Sequence, residues 1–405
     1  MSDIETNGVT VFGDPIANAV EQMTTLIQPS ADKCALMADH HLGYSMPIGG
    51  VAAYRNHVSP SGVGFDIACG NKAVCLDVNA EHVRASIGEI MDEIWSSVSF
   101  GMGRKNAESV SHPVLEDSAD SAWSLVRDVS QGTKGNRASL YDIACDQLGT
   151  VGGGNHYVDI FIDERDRVWV GCHFGSRGLG HKIATWFVKQ GGGRDGINAP
   201  PVLLSMDSEL GQNYFKAMTL AGKYAYAGRD WVCGKVASII GGGIVDEVHN
   251  HHNFTWIEEH DGEQFYVVRK GATPAWPGQR GFVGGSMAEQ AVIIEGVEHA
   301  ESVGAMYSTV HGAGRAMSRT KAKGKINRKT GEVKTVGAVT SDMMREWVEM
   351  SGVELRGGGV DESPHCYKRL DDVLGYHSNT IRILHHLTPI GVAMAGADEF
   401  DPYKD

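Results

Sequence analysis

Residues suited to chemistry occur in short glycine-rich segments that recur from residue 62 to residue 315 of this 405-residue chain. Glycine supplies 52 residues without any G-X-Y period, roughly twice its usual share of about 7%. Such an excess indicates many tight turns and close backbone approaches, which ligand-binding loops require. One site assembled from segments so far apart requires the whole chain to fold together. We therefore predict a single domain over residues 1–405.

The apolar pattern predicts helices and strands without a regular βαβ alternation. Helical periodicity occurs at about 81–98, at 118–129, after a Ser341 cap and at about 377–387. Strand patterns occur at 157–162, 168–172, 265–268 and 291–295. A charged D-E-R-D turn joins the first two strands into a predicted hairpin. The pattern favours an α+β fold with mixed sheets surrounded by helices, and a site at strand ends and loops.

The charge of the chain is unevenly distributed. A formal net charge of −14 excludes a protein that binds nucleic acid with its whole surface. Residues 315–334, however, contain eight lysines or arginines and one acid, Glu332. This segment is interpreted either as a basic groove beside the site or as a solvated basic loop. Residues 397–405 follow the last motif as a C-terminal extension.

The cysteines and the N-terminus indicate a cellular compartment. Seven scattered cysteines without paired spacing argue against a disulfide framework and favour a reducing compartment. No secretory signal precedes the first motif, and no apolar run approaches the roughly 18 residues of a membrane span. We expect a cytoplasmic protein.

A candidate nucleophile lies in residues 308–319, which read S-T-V-H-G-A-G-R-A-M-S-R. Gly312 follows His311 directly and Gly314 comes two residues later, so few β-carbons obstruct the approach of a phosphate from that side. Arg315 and Arg319 supply positive charge and forked donors that suit phosphate oxygens. The alternative is an ordinary histidine in a glycine turn.

A candidate metal set comes from four separate segments. Asp66 and Cys69 are three residues apart, so one turn can aim both side chains at the same point. His156, His173 and one member of the pair 251–252 are spaced too widely for a zinc finger, but suit a catalytic site built from several strands. Thiolate and imidazole ligands suit Zn, Fe, Co or Mn, and a carboxylate favours Mn²⁺. A thiolate can also bridge two ions. The alternative is a buried cysteine with core histidines.

A candidate phosphate set consists of short donors and cations near glycines. Its members are Asn155, Ser176, Arg177, Asn253, Arg269 and Lys270. Glycine-rich loops let backbone N–H groups approach phosphate oxygens, which arginine and lysine then neutralise. No G-x-x-x-x-G-K-[ST] sequence is present, so a Walker-type nucleotide site is excluded.

Taken together, the motifs resemble those of the RtcB-type RNA ligases. They are M-A-D-H-H-L-G at 37–43, D-I-A-C-G, G-G-G-N-H-Y-V-D, H-F-G-S-R-G, H-N at 252–253, R-K-G-A-T, G-S-M at 285–287, H-G-A-G-R-x-x-S-R and Y-K-R-L-D-D-V at 367–373. The resemblance extends over nearly the full chain.

The resemblance implies an enzyme that joins RNA 2′,3′-cyclic phosphate or 3′-phosphate ends to 5′-hydroxyl ends, in RNA repair or tRNA splicing. It implies GTP, two Mn²⁺ ions and a histidine–GMP intermediate at His311. It assigns the metals to Asp66, Cys69, His156, His173 and His252, with Cys69 as the bridge. It assigns nucleotide contacts to Asn155, His156, Tyr157, Asp159, Asn253, Gly284, Gly285, Ser286, Met287, His311, Gly312, Ala313 and Gly314. Family members often work with the small protein archease.

The chain departs from the family pattern where the base would be read. Asp159 replaces a usual Glu, Gly284 a Pro, Ala291 a Ser, and Ala395 a Lys. These departures predict a relaxed or redirected preference for guanine. Two other functions remain open: a paralogue that uses another nucleotide or only caps 3′-phosphate ends, and a non-catalytic RNA-end-binding module. The retained His311 weighs against the module, because binding alone needs no nucleophile.

Overall fold

The computed structural model describes residues 8–27, 31–116, 122–131, 139–326 and 333–397. These ranges contain the helices α1 Ala17–Ile27, α2 Pro60–Val63, α3 Ala80–Ala85, α4 Ile87–Ser97, α5 Trp123–Gln131, α6 Leu140–Gln147, α7 Arg177–Gln190, α8 Glu209–Ile240, α9 Ala300–Gly304, α10 Arg319–Lys323, α11 Ser341–Met350 and α12 Leu370–Gly375. Short 3₁₀ turns cover Pro113–Leu115, Val360–Glu362 and Pro364–Cys366.

The same ranges contain the strands β1 Val9–Val11, β2 Lys33–His41, β3 Ile48–Tyr54, β4 His57–Val58, β5 Gly70–Leu76, β6 Tyr157–Asp163, β7 Val168–Phe174, β8 Leu204–Ser205, β9 Ile244–His251, β10 Asn253–His260, β11 Glu263–Lys270, β12 Ala272–Pro274, β13 Arg280–Val283, β14 Ala291–Gly296, β15 Ser308–Val310, β16 Gly324–Ile326, β17 Val333–Val336, β18 Glu354–Gly358 and β19 Ile381–Gly396. Helices and strands are interspersed and the sheets are mixed, so the predicted α+β class is confirmed.

The larger sheet has eight strands and is nearly closed. Its order is β13-β14-β19-β6-β7-β5-β9, with β18 parallel to β19. Its two edge strands approach one another, because Arg280 on β13 forms an ion pair of 2.8 Å with Asp246 on β9. The side chain of Asn250 also accepts a hydrogen bond of 3.0 Å from the Phe282 N–H.

One end of this sheet gathers the segments that carry the candidate metal ligands. β5 and β6 begin at this end, and β7 and β9 finish there, because each neighbouring pair is antiparallel. Gly70 faces both Phe174 and His251, and Tyr157 faces His173. Widely spaced residues are thereby brought to a common edge.

The smaller sheet has five strands in the order β1-β2-β3-β11-β10. The chain passes from the larger sheet to the smaller one at a single residue, His252, which separates β9 from β10. The side chain of Asn253 ties the two layers together. Its amide donates to the carbonyl oxygen of Asp66 at 3.2 Å and accepts from the Gly271 N–H at 2.7 Å.

Helix α8 covers the inner strands of the larger sheet. Val232, Cys233 and Val236 pack with Val170 and Phe174 of β7 in one buried cluster. The helix has 32 residues, begins with the Ser208 side chain as N-cap and ends at Gly241 in the left-handed region. Within the described ranges, no helix combines the length and apolar character needed to cross a membrane.

Most of the predicted elements are confirmed. The hairpin appears as β6 and β7, and the other two predicted strands as β11 and β14. The helix expected at 81–98 is divided at Ser86 into α3 and α4. Helix α11 has Thr340, not Ser341, as its N-cap. Part of the predicted 118–129 helix, part of the 315–334 segment and residues 398–405 lie outside the described ranges.

The predicted helix at 377–387 is wrong. From Ile381 onward the chain forms β19, which lies between β14 and β6 and pairs antiparallel with both. The β-branched Ile381 and Ile383 suit a strand, and Pro389 sits at a register shift where no ladder hydrogen bond is required of it. Hydrogen bonding to the two neighbouring strands has outweighed the helical periodicity of the local sequence.

Candidate active site

A cavity of about 610 Å³ opens where the strand ends of the larger sheet meet the smaller sheet and the loop after β15. It is lined by most of the residues predicted from the sequence: Asp66, Cys69, Asn155, His156, Tyr157, Asp159, His173, His252, Asn253, Lys270, Gly284, Gly285, Ser286, Met287, His311, Gly312, Ala313, Gly314, Arg315 and Arg319. The structure therefore brings the nucleophile and metal candidates to one place.

The candidate metal ligands form two groups that share Cys69. One group contains Asp66, Cys69 and His156, and the other contains Cys69, His173 and His252; within each group the potential ligand atoms lie within 4.8 Å of one another. The Cys69 Sγ lies 3.6 Å from His156 Nε2 and 3.4 Å from His173 Nε2. Two ions bridged by one thiolate fit this arrangement.

The backbone turn at 66–69 makes this geometry possible. The N–H of Cys69 donates to the carbonyl oxygen of Asp66 at 3.1 Å, which turns both side chains toward the cavity. The N–H of His252 then donates to the carbonyl oxygen of Cys69 at 2.9 Å. Ligands from both groups are thus connected through the backbone.

Hydrogen bonds orient the imidazole rings. His173 Nδ1 lies 2.5 Å from the Asn71 amide oxygen, and His156 Nδ1 lies 2.9 Å from the carbonyl oxygen of Val151. Both Nε2 atoms consequently face Cys69. In metal sites, a hydrogen bond to the other ring nitrogen usually fixes the orientation of a histidine ligand in this way. The buried Nδ1 of His252 has no hydrogen-bond partner among the described residues. An unsatisfied nitrogen beside a thiol fits a metal ligand.

The protonation states also suit metal binding. Burial lowers the pKa values of His173 and His252 well below the usual value, so both rings are neutral. Burial opposes ionisation of Asp66, but the hydrogen bond and charge of His156 and the charge of Arg177 outweigh it and hold the carboxyl pKa below its usual range. Neutral imidazoles and a carboxylate are the forms that bind metal ions.

Asp39 on β2 holds the candidate nucleophile. Its Oδ2 lies 2.6 Å from His311 Nδ1 and accepts a hydrogen bond of 3.1 Å from the His311 N–H. Asp39 is fully buried, which opposes ionisation, yet the charge and hydrogen bonds of His311 keep its pKa below the usual value. With Nδ1–H bound to the carboxylate, Nε2 is the free nitrogen. The centre of the His311 ring lies 4.8 Å from the centre of the His252 ring.

Sequence reasoning missed Asp39. The residue belongs to the M-A-D-H-H-L-G motif, where the only signal was an acid directly after the apolar run C-A-L-M-A of the strand. Gly314 makes the contact between the two segments possible. Its φ of +75° lies in the left-handed region, and a β-carbon there would overlap the Asp39 carbonyl oxygen.

The cations that line the cavity already have protein partners. Arg315 donates to the carbonyl oxygen of Asp361 at 2.8 Å and to the Tyr367 hydroxyl at 3.0 Å. Arg319 forms ion pairs with Asp361 and Glu362. These carboxylates hold the guanidinium groups in the cavity wall and neutralise part of their charge.

Lys270 is the most buried cation of the cavity wall. Its Nζ donates to the carbonyl oxygen of Tyr44 at 2.6 Å. Burial lowers the pKa of this amine to about 7. A phosphate beside it would favour the charged form.

Three members of the predicted phosphate set do not line the cavity. The Ser176 hydroxyl donates to the carbonyl oxygen of Ile67 at 2.5 Å, and Arg177 lies behind His156, 3.1 Å from its Nδ1. Arg269 is fully buried and forms a bidentate ion pair with Glu258, at 2.6 and 2.9 Å. Their positions next to glycines reflect packing behind the site, so the geometry gives no support to direct phosphate contacts.

We expect Glu258→Gln to lower the free energy of unfolding by about 3–5 kcal/mol, because it leaves the buried Arg269 guanidinium without its counter-ion. Burial opposes ionisation of Glu258, but Arg269 and His260 outweigh it and lower its pKa to about 2. The stabilisation is therefore complete above the unfolded-state value of about 4.3 and is lost as the pH falls toward 2. Urea unfolding at pH 7 measures the effect, with the exposed Glu259→Gln as control. Equal stabilities of the two variants would contradict it.

The far end of the cavity is apolar around one acid. Asp159 is buried among Tyr157, Met287 and Met394, and its Oδ1 has no hydrogen-bond partner among the described residues. Burial raises the pKa of this carboxyl well above the usual value, which favours its neutral form. Ala291 and Ala395 do not line the cavity, whereas Asp159 and Gly284 do. Of these two departures from the family pattern, only Asp159 has a polar side chain that a ligand could contact.

The chain is similar to known proteins over most of its length. The family model described as tRNA-splicing ligase RtcB matches residues 20–395. The chain is 30% identical over 378 residues to the RNA-splicing ligase RtcB of Escherichia coli K12, with 88% of each chain covered. It is 31% identical over 455 residues to the tRNA-splicing ligase RtcB of Archaeoglobus fulgidus, covering 93% of this chain and 91% of that protein.

These relatives and the α+β fold around a two-group ligand cavity define the class of protein, an enzyme of the nucleic-acid ligase type. More particularly, the chain belongs to the RtcB family of tRNA-splicing ligases. The family identified from the sequence motifs is thereby confirmed. The two ligand groups are compatible with a metal cofactor.

Proposed function

We propose that the protein joins RNA ends that carry a 2′,3′-cyclic phosphate or 3′-phosphate to 5′-hydroxyl ends, in tRNA splicing or RNA repair. A nucleotide linked to His311 would be the intermediate. The observation that carries this proposal is the placement of His311, held by the buried Asp39, beside two ligand groups that share Cys69. A histidine that only packed in a turn would have no need of these two metal-ligand groups beside it.

Residues of this chain supply the parts of the mechanism. Asp39 keeps the proton on His311 Nδ1 and leaves the Nε2 lone pair for attack on the α-phosphorus of a nucleoside triphosphate, with pyrophosphate as the leaving group. As positive charge develops on the ring, the Asp39 carboxylate stabilises it. The nucleotidyl group would then pass from His311 to an RNA 3′-phosphate, and the 5′-hydroxyl of the second RNA would displace it as the nucleoside monophosphate. A 2′,3′-cyclic phosphate would first be opened by water to the 3′-phosphate. Asp66, Cys69, His156, His173 and His252 would hold two Mn²⁺ ions. Bound ions of this kind act as Lewis acids on phosphate oxygens.

The nucleotide, proposed to be GTP, would extend from His311 toward Asp159. Its phosphates would lie near Asn155, Asn253 and Lys270, and its base would occupy the apolar end of the cavity. The loops 284–287 and 312–314, which form a backbone bridge between Gly284 and Gly312, would enclose it. The RNA end would enter along Arg315 and Arg319. An archease-type activator is a further proposed partner.

The direct test is incubation with α-labelled GTP and Mn²⁺, followed by analysis for an acid-labile protein adduct. The same protein is then given RNA with a 2′,3′-cyclic phosphate and RNA with a 5′-hydroxyl. We expect an adduct and a joined product with Mn²⁺ and neither with Mg²⁺ alone, because thiolate and imidazole ligands suit Mg²⁺ poorly. An adduct without ligation would favour 3′-end capping. Binding of RNA ends without an adduct would favour a non-catalytic module.

The burial of Asp159, which favours its neutral form, gives a prediction about the base. A carboxyl in that form both donates and accepts hydrogen bonds, so it discriminates less against adenine than an ionised Glu that only accepts from the guanine edge. We expect Asp159→Glu to raise the ratio of GTP to ATP use about 10-fold, since one such contact is worth roughly 1–3 kcal/mol. Competition between the two nucleotides in adduct formation measures the ratio. Ala291→Ser, outside the cavity wall, is the control. Strict GTP dependence in the unchanged protein would refute the idea.

A further inference from the structure

A single arginine of α8 lies behind the candidate metal centre. Arg229 is fully buried. Its Nη1 donates to the carbonyl oxygens of Ala68 and Phe174, at 3.0 and 2.5 Å. Its Nη2 lies 2.9 Å from His251 Nδ1, and its Nε donates to His249 Nε2 at 2.8 Å. One guanidinium thus contacts three separate segments of the chain.

Each of these segments carries a candidate metal ligand next to the contacted residue. Ala68 precedes Cys69, Phe174 follows His173, and His251 precedes His252. The three ligands are those of the group that contains Cys69, His173 and His252. Arg229 touches none of them through these hydrogen bonds, but it fixes the backbone or side chain beside every one.

The turn that presents Cys69 depends on such support. Ala68 has a φ of +58°, in the left-handed region that non-glycine residues rarely adopt. Its carbonyl oxygen is held by Arg229 on one side, and its N–H donates to the carbonyl oxygen of Asn253 at 2.7 Å on the other. A strained conformation persists only where its surroundings determine it, as these two contacts do.

The charge of Arg229 is also unusual for a buried group. Among the described residues, all four of its hydrogen-bond acceptors are carbonyl oxygens or imidazole nitrogens, and none is a carboxylate. The nearby Asp230 is engaged by Lys72 at 2.5 Å and lies 3.4 Å from His249. Burying a cation without a counter-ion is costly. Here the four acceptors from three segments hold the guanidinium in place.

We propose that Arg229 is a positioning residue for the metal centre: through its four hydrogen bonds it holds the segments of Cys69, His173 and His252 in register. The inference rests on the proposed metal site. It makes the affinity for the ion depend on a residue of α8 that does not bind the ion. Because the forked donors of the guanidinium must reach three segments at once, lysine cannot replace it.

The test compares Arg229→Lys with Tyr224→Phe. Tyr224 lies on the same helix and loses one buried hydrogen bond, of 2.9 Å to the carbonyl oxygen of Ala144 on α6, a helix that carries no metal-ligand candidate. Both proteins are prepared without metal and titrated with Mn²⁺ by calorimetry and with Co²⁺ by absorption. We expect Arg229→Lys to raise the dissociation constant about 10- to 100-fold, the usual effect of removing an outer partner of a metal ligand. The Co²⁺–thiolate band should also weaken, and Tyr224→Phe should change neither.

Unchanged Mn²⁺ affinity and an unchanged Co²⁺ band in folded Arg229→Lys would overturn the inference. If circular dichroism shows that this variant does not fold, His251→Leu is tested in its place. It removes the hydrogen-bond partner of Arg229 Nη2 and keeps a side chain of similar volume. That protein should show a smaller loss of affinity, and wild-type affinity in it would equally overturn the inference. Failure of the unchanged protein to bind Mn²⁺ or Co²⁺ would instead refute the proposed metal site itself.

Discussion

We expect His311→Ala to bind Mn²⁺ but to form no nucleotide adduct and join no RNA, with activity at least about 10³-fold below that of the unchanged protein, because a covalent nucleophile is removed. The reason is that Nε2 is the free nitrogen of a ring whose other nitrogen Asp39 holds at 2.6 Å. Adduct formation from labelled GTP and ligation of RNA ends measure the loss.

His311→Asn is the matched second variant, because its amide can still donate to Asp39 and preserve the loop. We expect it to be as stable as the unchanged protein and as inactive as His311→Ala. Thermal unfolding checks the first expectation. An adduct in either variant would show that another residue is the nucleophile.

Cys69→Ser is the second change with a large expected effect. The Cys69 Sγ belongs to both ligand groups, so we expect the variant to bind neither ion tightly and to lose ligation, with dissociation constants raised at least about 100-fold because a hydroxyl is a much poorer ligand than a thiolate. Metal analysis of the purified protein and a ligation assay give the two readouts.

Cys75→Ala is the control for this experiment. Cys75 lies on β5, the strand that follows Cys69, and it is fully buried without belonging to either ligand group. It should retain metal and activity. A metal content in Cys69→Ser equal to that of the unchanged protein would remove the basis for a bridging thiolate.

The sequence predicted the fold class and the gathering of the metal candidates for a clear reason. A polar residue in a glycine-rich segment at a strand end has few structural uses, so His156 and His173 were visible as candidates without knowledge of the strand order. What placed them together is the antiparallel order of β5, β6, β7 and β9, which no local pattern contains.

The misses have a related origin. Asp39 was missed because its partner, His311, is 272 residues away. The ion pair of Arg269 with Glu258 was not foreseen because the two residues lie on different strands of the β10–β11 pair. The strand β19 was taken for a helix because its two neighbours, not its own periodicity, determine its conformation. Each case depends on a contact between separate elements.

The passage of the chain between the two sheets at His252 has a consequence for how such a site can be inherited. The candidate metal ligands come from the ends of several strands of the larger sheet. Asp39 lies on β2 of the smaller sheet, and His311 follows β15. No single hairpin or helix carries enough of the site to function after transfer to another protein. A lineage therefore keeps this chemistry only by keeping the whole fold. Substitutions can accumulate at the apolar end of the cavity, as at Asp159, while the candidate metal ligands and His311 stay the same.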